Sequence, residues 1–109
     1  MPNLSKRHGV ACYFCRRRFD ENIIKTKDHS VAKSRGGTNH GDNLTDCCFD
    51  CNQWKADKPL ENWLDEVQAF LKRGKHRIYS KTQLGQIVGN IKSLIRELKG
   101  SKTVSKYKP

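Results

Sequence analysis

Two Cys-x-x-Cys pairs constrain this chain more than any other feature of its sequence. The first pair is Cys12 and Cys15, and the second is Cys48 and Cys51. A turn of this spacing can present two thiolates to one metal ion, and two such turns complete the tetrahedral all-thiolate site that Zn²⁺ prefers. Four thiolates leave no open coordination position, so we expect a structural zinc ion. Only Cys48 has the two-residue spacing to Cys51, which leaves Cys47 as a spare and buried thiol.

The N-terminal half needs such a staple because it is polar and glycine-containing. Residues 1–58 are poor in large aliphatic side chains and cannot bury enough apolar surface to be stable alone. Disulfides are the alternative staple. Five cysteines fit a complete disulfide set poorly, and residues 1–10 contain no apolar signal segment. We therefore expect an intracellular, cytoplasmic chain with reduced or metal-bound cysteines, and no membrane span.

The charge of the chain predicts a polyanionic partner. Lys and Arg number 22 against 11 Asp and Glu, which gives a formal net charge of +11. Nucleic acid is the most common partner of so basic a chain, while solvated surface charge or an anionic membrane are the alternatives. A membrane surface is disfavoured because no basic amphipathic segment dominates. Arginine matches phosphate geometry, which makes phosphate-contact candidates of Arg16, Arg17, Arg18 and Arg35.

Residues between the cysteine pairs predict a small ββα arrangement. Residues 21–29 have strand character, and residues 30–43 form a long loop rich in turn-forming residues. Residues 44–47 can form a second short strand, and residues 49–55 a helix. A loop of this length in so small a domain is usually functional. We therefore expect an α+β fold, with a ββα-metal core and zinc at its base.

The C-terminal part predicts two amphipathic helices. Apolar residues recur at helical spacing from Leu60 to Leu71, and Gly74 is placed to end that helix. Ser80 with Gln83 forms a capping box for a second helix, which Gly100 is placed to end. Its apolar face could contact a second copy of the chain, although packing of the two helices on each other is favoured.

This second helix contains two glycines. Gly85 and Gly89 each cost about 1 kcal/mol relative to alanine in a helix and could permit close helix approach. Together the patterns divide the chain into a zinc-stapled domain (1–58), a helical extension packed on it (59–100) and a basic disordered tail (101–109).

The dipeptide Asp28-His29 is the candidate reactive pair. A histidine at a strand end, in a polar loop, could act as a general base on water. Asp28 could offer a hard oxygen to Mg²⁺, with Asn52 supplying another from the helix. Taken alone, the dipeptide would more often be a solvated loop pair, and adjacent strand residues point to opposite sides. His40 is most simply a solvated loop histidine.

In combination, these motifs resemble a known family. The order is Cys12-x-x-Cys15, Asp28-His29, Gly36-Gly37, Asn43-Leu44 and Cys48-x-x-Cys51-Asn52-x-x-Lys55. It is similar to the HNH endonucleases, in the branch with a four-cysteine zinc site, over roughly residues 10–58. A small free-standing member of this family with a basic tail is typical of a phage or bacterial source.

The resemblance implies a set of roles. His29 would be the general base, and Asn43 the middle residue that orients the loop and His29. Asn52 would stand in the third position and bind a divalent cation together with Asp28, while Lys55 would contact phosphate. The family hydrolyses DNA phosphodiester bonds with Mg²⁺ or a similar ion. One such site cuts one strand, so a double-strand cut implies a homodimer or a larger nuclease complex.

The sequence departs from the family pattern at three positions. Ser30 and Ala32 stand where the family often has an aliphatic residue and a proline, which should affect loop packing more than chemistry. Asn52 replaces the more usual histidine, and this favours Mg²⁺ or Mn²⁺ over softer metals. The competing interpretations are a non-catalytic zinc module that binds nucleic acid, and a nuclease that acts on RNA.

Overall fold

The computed structural model describes residues 9–30 and 43–99, and it confirms the expected α+β fold. Two antiparallel strands, β1 and β2, precede three helices, α1 to α3. The predictions for residues 1–8, for the loop with Arg35, Gly36-Gly37 and His40, and for the tail from residue 101 lie outside the described residues. The elements are β1 (Lys25–His29), β2 (Leu44–Cys48), α1 (Phe49–Lys55), α2 (Leu60–Arg73) and α3 (Lys81–Lys99).

Strand β1 begins later than the sequence predicted. The expected start was Glu21, but a turn occupies that segment because the Asp20 carboxylate accepts from the backbone N–H groups of Asn22 and Ile23 at 2.7 and 2.8 Å. The N–H group of Asp20 closes the turn on the Ile23 carbonyl at 3.1 Å. Aspartate side chains readily form such turns, and this local preference overrides the strand character of the segment.

The side chains of β1 lie alternately on the two faces of the sheet. In the antiparallel register Lys25 lies opposite Cys48, and Asp28 lies opposite Thr45. Thr26 and Asp28 contact helix α1, whereas Lys25 and Lys27 reach Asp46 on the other face at 3.2 and 2.9 Å. Alternation of strand side chains places His29 on the face opposite Asp28 only where the pleat persists, and His29 is the last residue of β1.

Strand β2 passes directly into helix α1 through Cys48. The sulfur of Cys48 accepts from the N–H group of Cys51 at 3.3 Å, and so it caps the helix that follows. Because the same cysteine ends the strand and caps the helix, the second Cys-x-x-Cys pair is fixed at the strand–helix junction.

Helix α2 ends and helix α3 begins where the sequence predicted. Gly74 follows α2 with φ +73°, and its N–H group donates to Phe70 and Leu71. Only glycine adopts this left-handed conformation at little cost. Ser80 and Gln83 form the predicted capping box, with reciprocal hydrogen bonds of 3.0 and 3.1 Å.

One apolar core links the described parts of the zinc-stapled segment and the helices. Helices α2 and α3 pack on each other, and this buries the apolar face of α3. The Phe14 ring meets Trp63 of α2 edge-on at 4.8 Å, and Asn90 of α3 donates to the Phe14 carbonyl at 2.9 Å. These contacts cross the predicted boundary between residues 58 and 59, which itself stays a prediction. Within the described ranges, no helix is both long and apolar enough to cross a membrane.

Gly85 and Gly89 do not serve a close helix approach. A Cβ atom added at either position would meet nothing within 4 Å, and both residues are exposed. The expectation of a tight contact at these glycines is therefore wrong, because the buried stripe of α3 runs along a different face of the helix.

Candidate zinc centre and nuclease site

The four expected cysteines form one buried cluster. The sulfurs of Cys12, Cys15, Cys48 and Cys51 all lie within 4.8 Å of one another. The Cys15 and Cys48 sulfurs are 3.8 Å apart, and sulfurs at two corners of a tetrahedral zinc site with Zn–S bonds of about 2.3 Å are separated by about 3.8 Å. The cluster therefore fits a structural zinc ion.

The pKa values of the buried thiols also indicate that the cluster binds a cation. Hydrogen bonds from the other three cysteines hold the pKa of the Cys48 thiol well below its usual range. Burial, and then the neighbouring sulfurs, raise the pKa of Cys51. Four buried sulfurs cannot all ionise beside one another unless a cation offsets their charge. Cys47 is buried outside this cluster, with its sulfur 3.5 Å from the Thr26 hydroxyl.

Arg17 binds the outside of the cysteine cluster. Its guanidinium group donates to the sulfurs of Cys15 and Cys48, both at 3.2 Å, and to the Asp50 carboxylate at 3.1 Å. A Zn²⁺ ion with four thiolates carries a net charge of −2, so the partly buried guanidinium group of Arg17 beside it is stabilising. Arg17 therefore contacts the cysteine cluster, and the phosphate contact that the sequence predicted for it stays a prediction.

Tyr79 connects the helical extension to the same cluster. It lies between α2 and α3, and its hydroxyl is 3.1 Å from the Cys51 sulfur. The Arg17 guanidinium lies over the Tyr79 ring, 4.9 Å from its centre. Hydrogen bonds of this kind orient metal ligands and raise metal affinity. Sequence reasoning missed Tyr79, which is 28 residues from Cys51 and carries no motif.

Asp28 and Lys55 form a buried ion pair beneath the candidate reactive end of β1. Lys55 Nζ donates to Asp28 Oδ1 at 3.3 Å and to the His29 carbonyl at 3.0 Å, and its side chain is fully buried. Burial raises the pKa of Asp28 to about 6, although the Lys55 charge acts in the opposite direction. The ammonium group is thus buried among protein atoms, which does not support the phosphate contact expected of Lys55, and that contact stays a prediction.

The second oxygen of Asp28 has a different environment. Asp28 Oδ2 is buried and has no hydrogen-bond partner among the described residues. A buried and unpartnered carboxylate oxygen is costly unless a ligand satisfies it. The residues present therefore fit a divalent cation at Asp28, through Oδ2 rather than through the oxygen that Lys55 occupies.

His29 and Asn43 lie near the two boundaries of the undescribed residues 31–42. His29 is the last residue of β1, opposite Leu44 in the register, and its side chain is half-buried. Asn43 is fully buried, and its carbonyl accepts from the Ser30 N–H group at 2.8 Å. This bond continues the strand pairing past His29 and holds Ser30 beside Asn43.

Asn52 lies on the face of α1 that contacts the sheet. Its side-chain nitrogen donates to the Thr26 hydroxyl at 3.0 Å, and that hydroxyl donates to the Cys47 carbonyl at 2.8 Å. The carbonyl oxygen of the Asn52 amide is thus the atom that it could offer to a cation. Thr26 positions Asn52, a role that sequence reasoning missed although Thr26 stands two residues before Asp28.

The remaining arginine candidates are placed at the surface or lie outside the described residues. Arg16 and Arg18 are exposed on the turn of the first cysteine pair, and Arg16 has φ +68°. Both remain candidates for phosphate contact, and Arg35 is outside the described residues.

Comparison with known proteins identifies the family. Residues 12–65 match the family model described as HNH endonuclease, and this part of the chain belongs to the HNH endonuclease family. The four-cysteine cluster is consistent with the zinc-containing type. No curated protein and no solved structure was found to match the chain.

Proposed function

We propose that the chain is a metal-dependent endonuclease that hydrolyses phosphodiester bonds in DNA. The observation that supports the proposal best is the contact between strand β1 and helix α1. The strand ends in Asp28-His29, and the helix holds Asn52 against the same strand through Thr26. Membership of residues 12–65 in the HNH endonuclease family supports nuclease activity.

His29 would take the proton from the attacking water. A neutral imidazole at the strand end can accept a proton as the water oxygen approaches phosphorus. Lys55 donates to the His29 carbonyl at 3.0 Å, and the Ser30–Asn43 bond fixes the next residue. Asn43 thereby acts as a positioning residue, because its backbone holds the segment that carries His29.

Asp28 and Asn52 would hold the catalytic cation. Their available atoms are oxygens, the ligand type that Mg²⁺ and Mn²⁺ prefer. When bound, such an ion acts as a Lewis acid on the phosphate and offsets charge on the leaving 3′-oxygen. The structural zinc takes no part in this chemistry, since four thiolates fill its coordination sphere.

Phosphate contacts would supply most of the affinity for DNA. The net charge is +11, and Arg16 and Arg18 are exposed beside the zinc site. Affinity should then fall steeply with salt, as counterions compete for the phosphates. One site cuts one strand, so double-strand cleavage would need a homodimer or a partner that brings a second site.

One observation favours a second candidate function, a non-catalytic zinc module that binds nucleic acid. Asp28 is buried and paired with Lys55, and a carboxylate with a purely structural role would have the same environment. Asp28 Oδ2, which has no partner among the described residues, favours the enzyme instead. An ion pair with a purely structural role would gain nothing from a buried oxygen that binds no ligand.

Supercoiled plasmid distinguishes the two candidates. The zinc-loaded chain is incubated with plasmid in Mg²⁺, in Mn²⁺ and without added divalent cation, and the products are separated on a gel. The nuclease predicts open circles only with the cation, and linear product if two sites act together. Salt-sensitive binding without cleavage under every condition would support the binding module.

A further inference from the structure

A groove lies on the side of helix α1 that faces away from the sheet. It has a volume of about 380 Å³ and is bounded by Phe49, Gln53 and Trp54 of α1 and by residues 76–79. Asn52 on the same helix contacts β1 instead, so the groove is separate from the candidate nuclease site. Its size is at the lower end of the range for small-ligand sites.

The groove has a rigid aromatic wall. The Trp54 ring lies 4.7 Å from His76 and 5.7 Å from Tyr79, measured between ring centres and at interplanar angles of 33° and 23°. Hydrogen bonds fix these rings: Trp54 Nε1 donates to Glu66 at 3.2 Å, and His76 Nδ1 accepts from the Ile78 N–H group at 3.0 Å. A ligand would therefore meet a surface that needs little ordering.

Two large apolar side chains remain exposed at this groove. Phe49 is 50% exposed and Ile78 is 39% exposed. They are two of the four large apolar residues that are exposed in the described part of the chain. Neighbouring exposed apolar side chains of this kind are typical of binding surfaces.

The chain segment that ends at the groove is positively charged. Lys72 and Arg73 end helix α2, Lys75 follows, and Arg77 lines the groove, all with exposed side chains. The segment 72–77 contains no acidic residue. Asp50, which also lines the groove, is paired with Arg17 at 3.1 Å.

We propose that this groove binds an unpaired strand of nucleic acid, with a base against the exposed Phe49 ring beside the aromatic wall and phosphates along the basic run of residues 72–77. Aromatic side chains beside a basic track are the arrangement by which proteins hold single strands, because every base has a face that can stack. A duplex keeps its base faces in the helical stack, so it could use only the charges. The inference goes beyond the proposed cleavage and rests on it only for nucleic acid as the ligand.

Binding of a labelled 12-nucleotide DNA strand tests the proposal. Fluorescence anisotropy is measured with the full zinc-loaded chain and no added divalent cation, so that cleavage does not interfere. Phe49→Ala is compared with Ile24→Ala. Ile24 has the same 50% exposure, and its carbonyl accepts from the Phe49 N–H group, but its side chain does not line the groove. Zinc content and circular dichroism confirm that both variants are folded.

Phe49→Ala should weaken binding of the strand roughly fivefold or more, the effect typical of one lost stacking contact. Ile24→Ala should bind like wild type, and neither change should alter binding of a duplex of equal length by more than about twofold, since duplex bases are not exposed for stacking. An abasic strand of equal charge should bind wild type more weakly than the base-containing strand.

Two results would overturn the proposal. One is equal affinity for the abasic and base-containing strands, and the other is a Phe49→Ala variant that binds like Ile24→Ala. Either result would point to a protein partner for the exposed Phe49 and Ile78. Because no cleavage is measured, these failures leave the nuclease proposal intact, and an inactive protein could still pass the test.

Discussion

Lys55 Nζ lies 3.3 Å from Asp28 Oδ1, and both side chains are buried. The pair joins the last residue of helix α1 to the end of strand β1, directly beside His29. Lys55 also donates to the His29 carbonyl at 3.0 Å. A residue expected at the DNA interface thus holds the strand and helix of the proposed site together.

Lys55→Met should destabilise the protein by about 3 to 5 kcal/mol, because it leaves the Asp28 carboxylate buried without its cation. Chemical denaturation of the zinc-loaded protein measures this. Lys58→Met is the matched control, since Lys58 and Glu66 form a partly exposed pair at 2.9 Å that should contribute less than about 1 kcal/mol. Equal stability of the two variants would contradict the structural role of Lys55.

The raised pKa of Asp28 predicts a pH effect on stability. Because the pKa of Asp28 in the folded protein is about 6, the carboxyl group keeps its proton up to that pH, whereas the unfolded chain releases it near the ordinary aspartate value of 3.8. Folding therefore binds a proton in this window, and stability falls as pH rises through it. Relative to Asp28→Asn, without added divalent cation, wild type should lose roughly 1 kcal/mol between pH 5 and 7. If the difference in stability between wild type and Asp28→Asn did not change between pH 5 and 7, the pKa of Asp28 would not be raised.

The hydrogen bonds from Arg17 and Tyr79 to the cysteine cluster predict tighter zinc binding. Arg17→Met and Tyr79→Phe remove donors to the sulfurs, and each should lower zinc affinity roughly tenfold or more. Competition with a chromogenic chelator measures the affinity. Arg18→Met is the control, because Arg18 is exposed on the same turn. Equal zinc affinities of all three variants would mean that the hydrogen bonds to sulfur do not contribute to zinc binding.

Replacing glycine by alanine should raise the stability of the protein at two positions and lower it at a third. Gly85→Ala and Gly89→Ala should each stabilise the protein by about 0.5 to 1 kcal/mol, since helix α3 gains propensity and the new methyl group meets nothing within 4 Å. Gly74→Ala should destabilise it by about 1 kcal/mol, because φ is +73° there. Thermal unfolding ranks the variants, and destabilisation by Gly85→Ala would show an unseen contact on that face.

The elements of the fold followed from local patterns in the sequence. The capping box of Ser80 and Gln83, the stop at Gly74 and the two cysteine turns depend on neighbouring residues, so the sequence alone reveals them. The start of β1 was misplaced because an aspartate turn at Asp20 competed with strand character.

The contacts that join distant segments could not be foreseen. Lys55 meets Asp28 across 27 residues, and Tyr79 meets Cys51 across 28. Both depend on how α1 packs between the sheet and the helical extension. A lysine or arginine in a basic chain is assigned to the surface by default, and Lys55 and Arg17 are exceptions because each neutralises a buried negative group.

The rate of plasmid nicking by His29→Ala tests the central claim most directly. The variant is compared with wild type in Mg²⁺ under single-turnover conditions, at matched zinc content and matched DNA affinity. Loss of a general base predicts a roughly hundredfold or greater fall in rate, with partial recovery when imidazole is added. A variant that cuts as fast as wild type would contradict the assignment of His29 and the site built around it.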